Sequence, residues 1–243
     1  LNVNPSLLGF GCMRFPKKED GTIDEVEAER MLDYAIESGV TYIDTAYPYH
    51  DGESEPFVGR VLKKYKREDF YLATKLPMFK IDSLEQAKEI LEEQMKRLDV
   101  DYVDFYLLHA LNKDTWKKVI DLNIIPYCEE LKKQGRIKNF GFSFHDDYEV
   151  FEEIINYRDW DFCQIQLNYI DTDIQAGMKG YKLTEEKNVP LVIMEPIKGG
   201  ALASLSDDIE KVFTDYNQNV SISSWALRFV ASLPNVNLCS SRR

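Results

Sequence analysis

The sequence predicts an α/β protein of the parallel (β/α)8, or TIM, barrel class, with residues 1–243 forming a single barrel domain. Three observations carry this reading. Eight short β-rich runs recur along the chain, at intervals of roughly 30 residues, the length of a βα unit. Amphipathic helical stretches fill the intervals, and strands that alternate with helices make a parallel sheet. The length of 243 residues suits one closed barrel of roughly 250 residues. The competing arrangement is an open, doubly wound sheet. Its signature, a strand followed by G-x-G-x-x-G, is absent here.

The first strand run is Leu8–Cys12. A helix follows over Glu25–Ser38, with Val26, Met31, Leu32, Ala35 and Ile36 near helical spacing and Gly39 as its stop. The second strand is Thr41–Asp44, and the next helix is Glu55–Tyr65 with Ser54 expected as N-cap. Strand Phe70–Lys75 leads to helix Leu84–Leu98, capped by Asp82 or Ser83, with Leu84, Ala87, Ile90, Leu91 and Leu98 as its apolar stripe. Strand Val103–His109 precedes a helix over Thr115–Gln134, and strand Ile137–Ser143 precedes Asp147–Asn156. Strand Phe162–Asn168 is followed by a helix over Thr172–Lys187. Strand Leu191–Met194, helices Ser206–Tyr216 and Ser221–Ala231, and strand Val236–Cys239 complete the series.

Bulk properties narrow the partners. The formal net charge is -12 and the pI near 4.8, which argues against nucleic acid and anionic membrane. Cys12, Cys128, Cys163 and Cys239 are scattered with no C-x-x-C pair, so neither a zinc site nor a disulfide framework is expected. No metal site is expected either. No apolar run approaches the roughly 20 residues of a membrane span, and no secretory leader pattern is visible. The thiols are therefore expected to be reduced and the location cytoplasmic. The chain starts at Leu1 and stops at Ser240-Ser241-Arg242-Arg243 just after an apolar strand. Both ends are expected to be cuts in a longer protein.

In a barrel of this type the chemistry lies at the C-terminal ends of the strands. Strands two, three and four end in Asp44, Lys75 and His109. A charged residue at one strand end is commonly just the first solvated position. Three adjacent strands doing it together is a different signal. Side chains alternate along a strand, so inward faces would bring Asp44, Lys75 and His109 to one rim. A buried Lys needs a counter-ion, and Asp44 on the neighbouring strand is the natural one.

The segment Asp44-Thr45-Ala46-Tyr47-Pro48-Tyr49, with Gly52 and then Ser54-Glu55 opening a helix, resembles the aldo-keto reductase signature D-T-A-x-x-Y. That resemblance covers nearly the whole chain. It implies a catalytic tetrad of Asp44, Tyr49, Lys75 and His109. The implied reaction is reduction of an aldehyde or ketone to an alcohol by hydride from a nicotinamide cofactor. The developing alkoxide needs a proton, and a phenol near pKa 10 is a poor donor without help. An adjacent ammonium at Lys75 favours the phenolate, Asp44 holds Lys75, and His109 positions the carbonyl oxygen. Tyr47 is assigned to packing or pocket lining, because its spacing from Asp44 is wrong for the motif, and His50 and His145 to loops at the rim.

The resemblance also implies the cofactor contacts. Gly141-Phe142-Ser143-Phe144 is similar to the family's G-x-S-N segment: Ser143 carries over to the carboxamide, while Phe144 replaces the Asn. Gln164 is the second carboxamide partner. Met194 takes the place where many members stack an aromatic ring on the nicotinamide. Pro196, Lys198 and Gly199 fall in a Gly-containing loop whose amides can cradle a pyrophosphate. Met13 and Arg14 line the cofactor floor, and Asp44 belongs to this set as well. NADP(H) is favoured over NAD(H).

Met13-Arg14-Phe15-Pro16, Tyr47-Pro48-Tyr49-His50-Asp51-Gly52-Glu53 and Gly141-Phe142-Ser143-Phe144-His145-Asp146 resemble a bacterial and archaeal branch of the family that often carries a C-terminal ferredoxin-like iron–sulfur extension. No cluster is assigned to this chain, only to a longer parent. The barrel is expected to lack the family's N-terminal hairpin and last helix. The expected partner is a small-molecule carbonyl compound, and the sequence does not reveal the oligomeric state. The alternative function is a non-catalytic redox-sensing subunit on the same barrel. A metal-dependent hydrolase is disfavoured by only 3 His residues with no H-x-H.

Overall fold

The structure, a computed structural model, describes residues 3–241; the features noted at Leu1, Arg242 and Arg243 lie outside them. The strands are β1 (Leu8–Gly11), β2 (Tyr42–Asp44), β3 (Tyr71–Leu76), β4 (Val103–Leu111), β5 (Ile137–Phe144), β6 (Phe162–Gln166), β7 (Leu191–Met194) and β8 (Val236–Ser241). They close into a barrel in chain order, with parallel neighbours throughout and β8 returning to β1. The helices are α1 (Glu25–Glu37), α2 (Ser54–Leu62), α3 (Leu84–Leu98), α4 (Lys113–Asp121), α5 (Ile124–Lys133), α6 (Tyr148–Tyr157), α7 (Gly177–Glu186), α8 (Asp207–Tyr216) and α9 (Ile222–Ala231). The predicted fold class is the one observed.

Two apolar layers follow from strand alternation. Inward side chains Tyr42, Ala73, Phe105, Leu107, Phe162, Val192 and Leu238 fill the barrel. Phe105 meets Tyr42 and Phe162 edge-on at 5.0 and 5.1 Å between ring centroids, a geometry worth about 0.5–1.5 kcal/mol per pair beyond area burial. Outward side chains such as Leu72, Tyr106, Phe142 and Ile165 pack under the helices. Gly141 is required by close approach, since a Cβ there would lie 2.4 Å from the Phe162 carbonyl oxygen.

The register sets the heights of the strand ends. Asp44 is level with Ala73, so Lys75 stands two residues higher. Lys75 is level with Leu107, so His109 stands two residues higher again. This is the stagger that barrel closure demands, and it arranges the three polar ends as a rising stair.

Several expectations need correction. The helix over Thr115–Gln134 is two helices, α4 and α5, broken at Leu122-Asn123, where Asn123 has φ 54. Pro126 explains the break: a continuous helix would need its missing N–H to reach Leu122 and would clash with that carbonyl. The helix begins earlier than expected because Asn112 and Thr115 form a capping box. The helix over Thr172–Lys187 starts only at Gly177. Before it, the Asn168 side-chain oxygen accepts from the Ile170 and Asp171 N–H groups, and Gln175 has φ 57; this Asx-type turn competes with helix. Ser54 is the first residue of α2 rather than its cap, because its hydroxyl is committed to Thr45 and to the Cys12 carbonyl. Cys12 leaves β1 to open a short turn, Cys12–Arg14.

Candidate active site

Two residues beyond each inner apolar side chain, the same face of the strand reaches the mouth of the barrel. Asp44 follows Tyr42, Lys75 follows Ala73, His109 follows Leu107, Gln164 follows Phe162, Met194 follows Val192 and Ser240 follows Leu238. All six are buried. Lys75 Nζ donates to Asp44 Oδ1 at 2.5 Å and to the Thr45 carbonyl at 2.7 Å. Both side chains are 0% exposed. Gln164 Nε2 donates to the other Asp44 oxygen at 3.3 Å. The buried carboxylate is thus shared between a cation and an amide, which compensates part of its desolvation.

Tyr49 arrives from the loop between β2 and α2. Its ring centroid lies 4.9 Å from Lys75 Nζ and 5.9 Å from the His109 ring, which it meets edge-on at 78°. Phe79 flanks His109 from the solvent side at 5.7 Å. The loop turns sharply after Tyr49, with φ of 51, 56 and 96 at His50, Asp51 and Gly52. It is tied at its base by the buried Thr45–Ser54 hydroxyl pair, 2.9 Å apart, and at its bend by the Phe15 N–H, which donates to His50 Nε2. His50 is therefore more than a rim residue. Burial, then Lys17, push its pKa below the usual histidine value, against Asp51 and a Met13 backbone contact. Tyr47 turns outward, its hydroxyl donating to Glu93. His145 is exposed at the end of β5.

The expected cofactor residues divide into two groups. Ser143 Oγ accepts from the Ala110 N–H at 2.8 Å, where Ala110 has φ 52; it pins the bulge that follows His109 and keeps its own proton to donate. Gln164 Oε1 is buried and has no hydrogen-bond partner among the described residues. At the far rim, Arg14 pairs with Glu195 at 3.3 Å and Lys198 with Asp171 at 2.6 Å. Glu195, Lys198, Gly199 and Gly200 all have positive φ. A Cβ on Gly199 would meet Arg14 Nη1 at 2.4 Å. Pro196 lies in this loop, and Met13 stands half-exposed beside Arg14. All four cysteines are buried and unlinked. Burial, with Asp44 nearby, holds the Cys12 thiol well above its ordinary pKa.

Sequence reasoning missed a second buried polar layer behind the strands. Glu55, on the first turn of α2, accepts from Thr74 Oγ1 at 2.6 Å and Gln94 Nε2 at 2.8 Å. Gln94 also donates to the Lys75 carbonyl and accepts from the Tyr106 hydroxyl. Burial raises the Glu55 pKa, opposed by these donors and by Arg97. The signal was Gln94 itself, a polar residue in line with Ala87 and Leu91 on the apolar stripe of α3. Ser240 was missed too; its place two residues after Leu238 marks it as inward.

The sequence profile of the Aldo/keto reductase family matches residues 7–239. The chain belongs to the aldo/keto reductase family. Among curated relatives, an uncharacterized oxidoreductase from Bacillus subtilis is 30% identical over 210 residues, covering 83% of this chain and 64% of its own length. A probable aldo-keto reductase from Glycine max is 33% identical over 146 residues, 57% of this chain and 41% of its own. The matched part thus spans less than two thirds of these relatives. Among solved structures, an aldo-keto reductase from Bacillus halodurans in its holo form superposes with TM-score 0.81 at 28% identity, covering 98% of this chain and 82% of that one. No helix among the described residues is long and apolar enough to cross a membrane.

Proposed function

We propose that this aldo/keto reductase chain reduces the carbonyl of a small molecule to an alcohol, with Tyr49 as proton donor. The observation that carries the reading is the fully buried Lys75–Asp44 pair beneath the Tyr49 ring, with His109 across from it. An ammonium held beside a phenol stabilises the phenolate left behind when the proton goes to the nascent alkoxide. Asp44 keeps that ammonium charged and in place. His109 offers a ring nitrogen to the carbonyl oxygen, so the oxygen is gripped from two sides.

The hydride is supplied by a bound nicotinamide dinucleotide. Two groups fit its carboxamide: the unpartnered Gln164 Oε1 can accept from the amide nitrogen, and the Ser143 hydroxyl can donate to its oxygen. Met194 would pack on the ring. Arg14, Pro196, Lys198 and Gly199 would hold the phosphates at the far rim. An aldo-keto reductase from Klebsiella pneumoniae of this fold, at 20% identity, is solved with NADPH, and a reductase from Escherichia coli at 24% identity is named for NADH. We favour NADP(H) for this chain and a cytoplasmic setting. Tyr49→Phe should leave dinucleotide binding, read as quenching of Trp fluorescence, within about twofold while turnover of a simple aldehyde falls by roughly 100-fold or more. Full turnover in that variant would remove Tyr49 as the acid.

A further inference from the structure

The phenol sits on a loop, while the ammonium that assists it sits on a strand. Something must fix one against the other. Arg97, near the end of α3 and outside the barrel, touches both supports. Its guanidinium carbon lies 4.2 Å from the Tyr47 ring centroid, two residues before Tyr49. Its Nη1 donates to the Tyr47 carbonyl at 3.4 Å and would lie 3.4 Å from a Cβ on Gly52, three residues after Tyr49. Glu93 completes this side, accepting from both Arg97 Nη2 and the Tyr47 hydroxyl at 2.7 Å. On the other side, Arg97 Nη1 reaches Glu55 Oε2 at 3.4 Å. Glu55 is 0% exposed, and it is joined through Gln94 to the Lys75 carbonyl.

We propose that Arg97 is a positioning residue that sets the Tyr49 phenol against the Lys75 ammonium, gripping the loop through Tyr47 and the strand through Glu55. The inference rests on Tyr49 being the proton donor. A planar guanidinium can stack on a ring and donate in its plane at the same time, which an ammonium cannot. Arg97 is also the one charged donor among the described partners of the buried Glu55 carboxylate. Displacing a catalytic group by about 1 Å from a remote site can cost as much as 100-fold in rate.

The test uses the full chain with NADPH and 4-nitrobenzaldehyde, following kcat and KM across pH in Arg97→Met, Tyr47→Leu and the double variant. Arg97→Met should lower kcat roughly tenfold, with KM for both substrates within about twofold. The high-pH fall in kcat should move to higher pH, because the ammonium then assists the phenol less. The two substitutions should be non-additive in kcat, since they cut one line of contact. Additive losses, or a lower melting temperature with kcat and the high-pH limb unmoved, would overturn the proposal. If Arg97→Met does not fold, Arg97→Lys keeps a charge for Glu55 and removes the stacked fork. It should show the same limb shift at smaller amplitude, and an unmoved limb again overturns the proposal. Tyr49→Phe is the control: if it keeps full turnover, the assignment of the acid has failed rather than the role of Arg97.

Discussion

The loops after β2 and β7, strands separated in the barrel by β8 and β1, carry the same kind of strain under different restraint. The loop after β2 has positive φ at His50, Asp51 and Gly52; the loop after β7 has it at Glu195, Lys198, Gly199 and Gly200. Non-glycine residues in that region cost about 1–3 kcal/mol each, so both loops must be held. The first is held by buried contacts: the Thr45–Ser54 hydroxyls, the Lys75–Asp44 pair, and the Glu55–Thr74–Gln94 network. The second is held by two ion pairs whose cations reach solvent, Arg14 at 41% and Lys198 at 43% exposed, the Lys198 partner Asp171 being buried, and by the Asn168 side chain, which donates to the Glu195 carbonyl. Buried polar contacts in low dielectric are costly to break, whereas an exposed pair such as Arg14–Glu195 contributes about 0–1 kcal/mol. One half of the mouth is held more firmly, which suits the proton donor proposed there. The other has an exposed cation in each of its ion pairs, which suits the dinucleotide proposed to enter and leave there.

The comparison breaks first at Lys75. In Lys75→Met the Asp44 carboxylate loses its cation and keeps the Gln164 amide as a side-chain donor; a buried charge left without its counter-ion costs about 3–5 kcal/mol. For a chain of this length each kcal/mol shifts the melting temperature by about 2–4 °C, so a drop of roughly 10 °C is expected by scanning calorimetry, together with loss of turnover. A melt within about 2 °C of wild type would mean the pair is not the anchor described. Gln94→Leu probes the outer layer. It removes donors to Glu55, Thr74 and the Lys75 carbonyl and the acceptor for Tyr106. Unsatisfied buried groups of this kind cost about 2 kcal/mol in sum, measurable as a lower urea midpoint with an unchanged slope. Arg14→Met sharpens the contrast from the other side. Stability should change by less than about 1 kcal/mol, while the dinucleotide dissociation constant rises severalfold and becomes less sensitive to salt.

The sequence made the inner half legible and the outer half only partly so. Asp44, Lys75 and His109 could be placed because strand alternation is rigid: once Tyr42, Ala73 and Leu107 face inward, the residues two further on must do the same. Tyr49 could not be placed by periodicity, since it lies on a turn whose shape depends on the Thr45–Ser54 hydroxyl pair at its base and on Phe15 far back along the chain. Only the D-T-A-x-x-Y resemblance singled it out. Glu55 and Thr74 were illegible for the same reason: their partners sit on other elements, and a Glu on the first turn of a helix looks like ordinary dipole compensation. The α4–α5 break was legible in Pro126, whose missing N–H cannot serve a helix continuous through Leu122.

The smallest expected effect concerns a joint of the firm half that is made by an imidazole. His50 Nε2 accepts a hydrogen bond from the Phe15 N–H, so the bond requires a neutral imidazole. Burial and Lys17 depress its pKa below the usual 6.5, with Asp51 opposing. The unfolded chain therefore takes up this proton more readily than the folded one, and stability rises with pH across the interval between the two values. The contribution is fully present above about pH 6.5 and is lost as pH falls through the depressed folded value. Wild type should lose more melting temperature between pH 8 and pH 5 than His50→Gln, whose amide oxygen can accept from Phe15 at either pH; these pH values are chosen to lie about 1.5 units on each side of 6.5. Equal losses in the two proteins would show that the Phe15–His50 bond does not hold the bend. The loop after β2 would then owe its shape to the hydroxyl pair at its base and to the Tyr47 side alone.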